Sequence, residues 1–320
     1  MKSPFYAIFM ACLLNLISLS LISAATAAPL IERVGDALTH PWGMDFLDDA
    51  NVVVTERGGK MYKINLADGT RQPITGLPDI EAKRQGGLLD VAIATPDSGT
   101  ATLFYCYSKP VNGGSVTAID RAQLSGNALS NRQTIFLANN PSKDAIHFGC
   151  RLELDGDYIY ASLGERGARH DAQDPALHAG AIIRLYHDGS IPQDNPKLDG
   201  WAAEILSKGH RNPQGLAIHP GTGILWSHEH GPRGGDEINI ITAGRNYGWP
   251  TVSHGKEYIG GTIGIGTSAP GLTDPAWVWT PSIAPSGMAF YQGTMFPRFD
   301  GHLLVGSLKF ERLYLVRVAN

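Results

Sequence analysis

The chain has 320 residues, 43% of them hydrophobic, and a formal net charge of −4 at neutral pH. This length and apolar content allow one large domain or two ordinary ones, each with a sizeable core. Acidic and basic residues are interspersed, so neither a basic block that binds nucleic acid nor an acidic disordered tail is predicted. The 38 glycines and 20 prolines predict many turns and few long helices.

The first thirty residues differ from the rest of the chain. Lys2 is the only charged side chain before Glu32, and the apolar run FYAIFMACLLNLISLSLISA leads into the small residues AATAA. A membrane anchor is the alternative interpretation, because the run is nearly long enough to span a bilayer. The A-x-A pattern at Ala25 and Ala27 favours a signal peptide over residues 1–27. We therefore expect export to the periplasm and a single domain over residues 28–320.

Two cysteines, Cys106 and Cys150, would remain after cleavage of the signal peptide. Export makes a disulfide possible, but two cysteines do not predict a disulfide scaffold. Cys106 lies in LFYCYS, which has the pattern of a buried strand, so we expect it to be a small inert hydrophobic residue.

A glycine followed by an alternating apolar run recurs along the chain. The recurring segments are PWGMDFL, QGGLLDVAI, HFGCRLEL, NPQGLAIHP and APSGMAFY, with starts at residues 43, 87, 149, 215 and 287. A short turn and a second alternating run follow most of them, and helical periodicity is almost absent. Repeated strand units of this kind predict an all-β fold, a β-propeller. A β-sandwich explains the strands but not the recurrent glycine.

Polar residues directly precede several of these glycine-led strands. They are His147, Gln85, Arg211, Asn212 and Ser282. The innermost strand of each propeller blade begins near the central channel, and loops on a rigid scaffold are where binding residues concentrate. We therefore expect these side chains to converge on one cavity.

The segment HEHGPRGGDEIN predicts a metal site. The Gly231–Pro232 turn can direct main-chain carbonyls outward, and such hard oxygens suit Ca²⁺. The acidic residues 236–237 follow within reach of a second calcium or of a structural turn. His228 and His230 form an H-x-H pair that suggests zinc, but no third ligand is evident in the sequence.

Seven motifs in order, HFGCRL, GERG, GHRNPQGL, HEHGPRGGDEIN, NYGWP, APSG and GSLK, resemble the soluble aldose sugar dehydrogenases that depend on pyrroloquinoline quinone (PQQ). These belong to the wider glucose/sorbosone dehydrogenase family, and the likeness runs from about Pro41 to Val318. The resemblance implies a six-bladed propeller that oxidises aldose sugars to lactones with PQQ and Ca²⁺. It also implies a soluble or membrane electron acceptor and a monomer or dimer.

The resemblance also assigns roles to residues of this chain. His147 would be the catalytic base, and Arg211 would stabilise the negative charge that develops as hydride passes to the quinone. The residues expected to contact the cofactor are Gln85, Arg211, Asn212, Ser282 and Lys309. The carbonyls of Gly231 and Pro232 would bind the cofactor calcium, and Glu237 and Tyr247 fall near a second, structural calcium.

The sequence departs from the family in two places. Cys150 replaces the small glycine or serine expected after HFG. The chain ends at LYLVRVAN, before a further arginine-containing segment of relatives, so we expect the sixth blade to be incomplete and the domain C-terminally truncated relative to the family. Two other functions stay open, a calcium-dependent propeller hydrolase of the lactonase kind and a non-catalytic binding propeller.

Overall fold

The protein is described here by a computed structural model that covers residues 31–94 and 100–318. The predicted signal peptide, residues 1–27, lies outside the described residues. Contacts group Val34–Asn320 into one unit. In the part of the chain that the structure describes, no helix has both the length and the apolar character needed to cross a bilayer.

Alternating apolar sequence folds into antiparallel sheets in which each strand pairs with the next along the chain. Blade 1 comprises β1 (Pro41–Asp48), β2 (Asn51–Glu56), β3 (Lys60–Asn65) and β4 (Arg71–Ile74). Blade 2 comprises β5 (Leu88–Ala94), β6 (Thr102–Val111), β7 (Gly114–Ser125) and β8 (Ala128–Leu137). Blade 3 comprises β9 (Gly149–Asp155), β10 (Tyr158–Leu163), β11 (Ala181–Tyr186) and β12 (Ile205–Lys208).

The last two sheets follow the same plan. Blade 4 comprises β13 (Pro213–Ile218), β14 (Leu225–Glu229), β15 (Asp236–Ile240) and β16 (Trp277–Trp279). Blade 5 comprises β17 (Pro285–Phe290), β18 (Leu303–Ser307) and β19 (Arg312–Val316). Two short 3₁₀ turns, Arg169–Gln173 and Pro297–Phe299, lie in the connections.

The fold is a β-propeller, as predicted, but the expected six blades are wrong for the described residues, which form five sheets. Each of the five glycine-led segments begins one sheet, and the nineteen described strands are all used in these five. The sixth blade came from the family resemblance alone and had no strand pattern of its own in the sequence. The fifth sheet has three strands where the others have four.

A register shift occurs near the start of every inner strand. It lies between Pro41 and Met44, Leu88 and Val91, Pro213 and Gly215, and Pro285 and Met288, and in blade 3 opposite Gly149. Such a bulge interrupts the ladder and changes the direction of the chain. The residues just before each inner strand therefore leave the sheet as loops. These loops contain five of the predicted site residues, namely Gln85, His147, Arg211, Asn212 and Ser282.

The core lies between neighbouring blades, whereas one face of β1 is exposed, with Met44 and Phe46 each 59% accessible. Phe104 of blade 2 belongs to one buried cluster with Phe148 and Ile183 of blade 3. Ile238 of blade 4 packs with Val305 of blade 5 in the same way. The inner strands β1, β5, β9, β13 and β17 lie beside one another in that order. Side chains at the start of different inner strands are therefore close in space.

Cys106 and Cys150 form a disulfide, so the expectation of an inert hydrophobic Cys106 is wrong. The two Cα atoms are 5.8 Å apart, and the bond joins β6 of blade 2 to β9 of blade 3. Both cysteines are fully buried within the interface of these blades. The pairing depends on how the blades pack, which a buried-strand pattern in the sequence does not reveal.

Candidate active site

His147 lies two residues before β9 and is paired with a buried carboxylate. Its Nδ1 is 2.7 Å from Oε2 of Glu165, and the two side chains are 13% and 2% exposed. Oε2 of Glu165 also accepts the Gly167 N–H at 2.8 Å, which fixes the carboxylate. A carboxylate accepts hydrogen bonds, so the proton of the neutral imidazole lies on Nδ1 and the Nε2 lone pair is left available.

Glu165 is a functional residue that the sequence analysis missed. The motif GERG contributed to the family resemblance, but no role was assigned to its acidic residue. The signal available was a buried acid directly after a strand, in the blade that also contains His147. The intervening Gly164 allows the close approach, since a Cβ there would lie 2.1 Å from the His147 carbonyl oxygen.

Gln85 contacts the His147 segment through its side chain and its main chain. Its Oε1 accepts the His147 N–H at 2.7 Å, and its own N–H donates to the Ala145 carbonyl at 3.0 Å. These bonds cross from blade 2 to the start of blade 3. Gln85 therefore orders the backbone beside the predicted base, and its side chain is otherwise exposed.

Arg211 joins the His147 pair to the Gly231 turn. Its carbonyl accepts the Glu165 N–H at 3.0 Å, while its buried guanidinium donates to the carbonyls of His230 and Gly231 at 3.0 and 3.2 Å. The guanidinium also lies 5.4 Å from the centroid of the Trp249 ring. The structure thus places His147, Arg211 and the Gly231 turn at the same end of the propeller.

Asn212 is buried beneath this site and bonds to the inner strands. Its Oδ1 accepts the Gly149 N–H at 3.1 Å and the Gln214 Nε2 at 3.1 Å. Because the oxygen is engaged, a contact from Asn212 to a ligand would come from its amide nitrogen.

The four predicted metal-binding residues line one cavity. It is lined by residues that include Arg211, Glu229, Gly231, Pro232, Glu237, Tyr247 and Trp249. Position 231 requires glycine, because a Cβ there would lie 2.2 Å from the Gly234 carbonyl oxygen. The turn at Gly231 therefore packs tightly against the backbone of residues 234–235.

Two carboxyl groups, the buried Glu229 and the half-buried Glu237, line this cavity from neighbouring strands. Glu229 accepts from Asn239 Nδ2 at 3.0 Å and pairs with Nδ1 of His210 at 2.9 Å. Burial, together with the nearby charge of Glu229, raises the pKa of Glu237 well above its ordinary value. The buried Oδ1 of Asn239 has no hydrogen-bond partner among the described residues. Carboxylate, amide and carbonyl oxygens are the donor set that Ca²⁺ prefers, so the residues fit that ion.

The hydroxyl of Tyr247 is used within the protein. It donates to the Ile240 carbonyl at 2.6 Å and accepts the Thr242 N–H at 2.9 Å, and the ring stacks on His210. Any metal contact from Tyr247 would therefore come from its main-chain carbonyl.

Ser282 and Lys309 lie in the neighbouring blade. The Ser282 hydroxyl donates to Oδ2 of Asp236 at 2.7 Å, and Oδ1 of the same carboxylate accepts the Gly231 N–H at 2.9 Å. Ser282 thus braces the Gly231 turn through Asp236. The side chain of Lys309 is exposed, with Nζ 5.1 Å from the Phe310 ring centroid, and its N–H donates to the Ile283 carbonyl at 3.4 Å.

His228 of the H-x-H pair lies in β14, and His230 directly follows that strand. Nε2 of His230 contacts the Pro285 carbonyl oxygen at 2.6 Å, so His230 joins blade 4 to blade 5. Within residues 31–94 and 100–318, no group of three or more His, Cys, Asp or Glu side chains is arranged to hold a metal ion. A calcium site in this part of the chain would therefore depend mainly on main-chain oxygens and less on carboxylates.

Comparison with known proteins extends over the whole propeller. A family model described as glucose/sorbosone dehydrogenase matches residues 38–320. Aldose sugar dehydrogenase YliI of Escherichia coli strain K12 is 39% identical over 308 residues, which cover 93% of this chain and 83% of that protein. A crystal structure of a glucose dehydrogenase has a TM-score of 0.88 and 37% identity, with 91% of this chain and 87% of that chain covered. The PQQ-bound form of aldose sugar dehydrogenase from Streptomyces coelicolor has a TM-score of 0.76 and 26% identity, with 91% and 81% covered.

Proposed function

This chain belongs to the glucose/sorbosone dehydrogenase family, and from that premise we propose that it oxidises aldose sugars to lactones with PQQ and Ca²⁺. The observation that supports this most directly is the His147–Glu165 pair beside Arg211 and the Gly231 turn. These groups come from different blades, and together they provide a base, a cation and hard oxygen ligands at one end of the propeller.

His147 is proposed as the base that removes the proton of the anomeric hydroxyl. Its Nδ1 faces Glu165 at 2.7 Å, which leaves Nε2 to accept the proton. The Glu165 carboxylate would stabilise the imidazolium that forms, and it holds the ring in one orientation. Positioned bases of this kind contribute about 10²–10⁴-fold to the rate.

Cofactor binding is proposed for Gln85, Arg211, Asn212, Ser282 and Lys309. When bound, PQQ would supply the acceptor for the hydride from the anomeric carbon, with Ca²⁺ as a Lewis acid. Arg211 is the buried cation of this set, and fixed charges aimed at developing negative charge are effective where water is excluded. Arg211 and Lys309 would also complement the carboxylates of PQQ.

Calcium binding is proposed at the cavity lined by Gly231, Pro232, Glu237 and Tyr247. The half-buried carboxyl of Glu237, whose pKa is raised, supports this, because a divalent cation would offset the cost of ionising it there. Calcium should therefore bind the protein without PQQ, and Glu237→Gln should lower that affinity in calorimetry. Unchanged calcium affinity in Glu237→Gln would remove this residue from the site.

Reconstitution tests the proposed reaction. Purified protein is incubated with PQQ and Ca²⁺, then with glucose and an artificial electron acceptor whose reduction is followed by absorbance. We expect turnover in the wild type. His147→Ala should show no turnover but retain PQQ binding, whereas Arg211→Ala should lose both turnover and PQQ binding. Lactone hydrolysis without PQQ would support the hydrolase instead, and calcium binding with neither activity would support a binding propeller.

Export to the periplasm, with cleavage of residues 1–27, completes the proposal and rests on the apolar N-terminal run and its A-x-A pattern. N-terminal sequencing of the protein from the expressing cell's periplasmic fraction checks the cleavage site. Two further points stay predictions. The electron acceptor is expected to be soluble or membrane-bound, and the protein is expected to be a monomer or a dimer.

A further inference from the structure

Arg166 is a buried arginine whose hydrogen bonds go to neutral oxygens. It is 2% exposed, and its guanidinium donates to the carbonyls of Ile146, Asp144 and Ser115 at 3.0, 2.8 and 3.0 Å. The guanidinium carbon lies 3.6 Å from the centroid of the Phe148 ring. Burial lowers the pKa of Arg166 to about 10, which still leaves it charged at neutral pH. A buried charge is costly unless it is well bonded, and here main-chain oxygens provide those bonds.

Three of these partners lie in residues 144–148, the loop that contains His147. This loop has no strand ladder to order it, because β9 begins only at Gly149. His147 has a φ of 49°, in the left-handed region that a non-glycine residue rarely adopts. Such a conformation persists when surrounding contacts determine it. The Arg166 side chain bonds to residues that precede His147 and stacks on Phe148, which follows it. The main-chain N–H of Arg166 also donates to the His147 carbonyl at 3.3 Å.

We propose that Arg166 is a positioning residue for His147, one that fixes the loop backbone while the adjacent Glu165 fixes the imidazole ring. One turn, residues 164–167, would thus set both the location and the orientation of the base. The inference rests on the proposed function for its catalytic consequence, but not for its effect on the loop. It distinguishes Arg166 from Arg211, because the Arg166 guanidinium bonds to this loop and to Ser115 of β7 and does not line the cavity.

The test compares Arg166→Lys and Arg166→Met with the wild type. Lysine keeps the charge but lacks the planar set of donors of arginine, so Arg166→Lys should retain little of the positioning of the His147 loop. In apo-protein, proton NMR should show a slowly exchanging downfield signal from His147 Nδ1–H bonded to Glu165, identified by its loss in His147→Gln. We expect that signal to broaden or vanish in both Arg166 variants.

The loaded enzyme gives a second measurement. A base displaced by about 1 Å can cost about 10²-fold in rate, so kcat should fall about 10- to 100-fold. Affinity for PQQ should change less than threefold, because Arg166 does not line the cavity. A wild type without turnover, but with the NMR change in the variants, would refute the proposed function and leave the positioning role intact.

Arg184→Met is the matched control. Arg184 is also a mostly buried arginine, bonded to Asn195 Oδ1 at 2.8 Å and to Asp194 at 2.7 Å, with no partner in residues 144–148 among these bonds. We expect a loss of thermal stability in this variant without a change in the His147 signal or in kcat. An equal change in the control would show that the effect of Arg166 is general destabilisation, and would overturn the proposal.

A measurement on the wild type covers the case in which the Arg166 variants do not fold. The Nε–H of Arg166 donates to the Ile146 carbonyl, so its NMR signal should exchange slowly with solvent. Exchange as fast as that of an exposed arginine would overturn the proposal, as would a folded Arg166→Met with the His147 signal and kcat unchanged.

Discussion

Loss of the Glu165 carboxylate should slow the reaction through His147. The two groups are 2.7 Å apart and Glu165 is almost fully buried, so their hydrogen bond is short and shielded from water. Hydrogen bonds to charged groups contribute about 1.5–3 kcal/mol, against about 0.5–1.5 kcal/mol for neutral ones. The imidazolium forms only as the proton is transferred, so this difference belongs to the barrier. We expect kcat to fall about 10-fold in Glu165→Gln and up to about 150-fold in Glu165→Ala.

The assay is steady-state turnover of the PQQ- and calcium-loaded enzyme, with PQQ affinity measured separately. Glu204→Gln is the matched control, because Glu204 contacts Nε2 of His178 at 3.4 Å in another part of blade 3. Its kcat should stay at the wild-type value. If Glu165→Gln retains kcat within twofold, or if Glu204→Gln slows the enzyme equally, the argument for the His147–Glu165 pair is refuted.

Three further predictions concern stability. Replacing Cys106 and Cys150 by alanine should lower the free energy of unfolding by about 4 kcal/mol in urea, the value for a link between residues 44 apart, and no loss would contradict the disulfide. Burial raises the pKa of Glu153 from 4.5 to about 7 in the folded protein. Protonation of Glu153 therefore stabilises the folded state fully below pH 4.5, and this stabilisation is lost as the pH rises through 7. The free energy of unfolding of Glu153→Gln should therefore exceed that of the wild type by up to about 3 kcal/mol at pH 8, and the two should be equal near pH 4. A difference in unfolding free energy that does not depend on pH would contradict this prediction. Gly164→Ala should lower both the melting temperature and kcat, because its Cβ would meet the carbonyl oxygen of the proposed base, whereas Gly58→Ala, with nothing within 4 Å, should change neither.

The sequence predicted the parts of the fold that depend on local patterns. Alternation of apolar residues has a period of two, so short strands and their glycine-led starts could be located without a structure. All five starts begin a sheet, and the polar residues before them lie in loops at the inner strands. The family resemblance was also confirmed, but the blade count that came with it was wrong for the described residues.

Tertiary structure decided which of these residues are partners, because the decisive contacts join distant parts of the chain. Gln85 and His147 are 62 residues apart, and the two cysteines 44 apart. No local pattern shows that Glu165 faces His147, or that the Tyr247 hydroxyl is engaged by main-chain groups. A sequence determines which side of a strand each residue occupies, whereas the packing of one blade against the next determines what that residue meets.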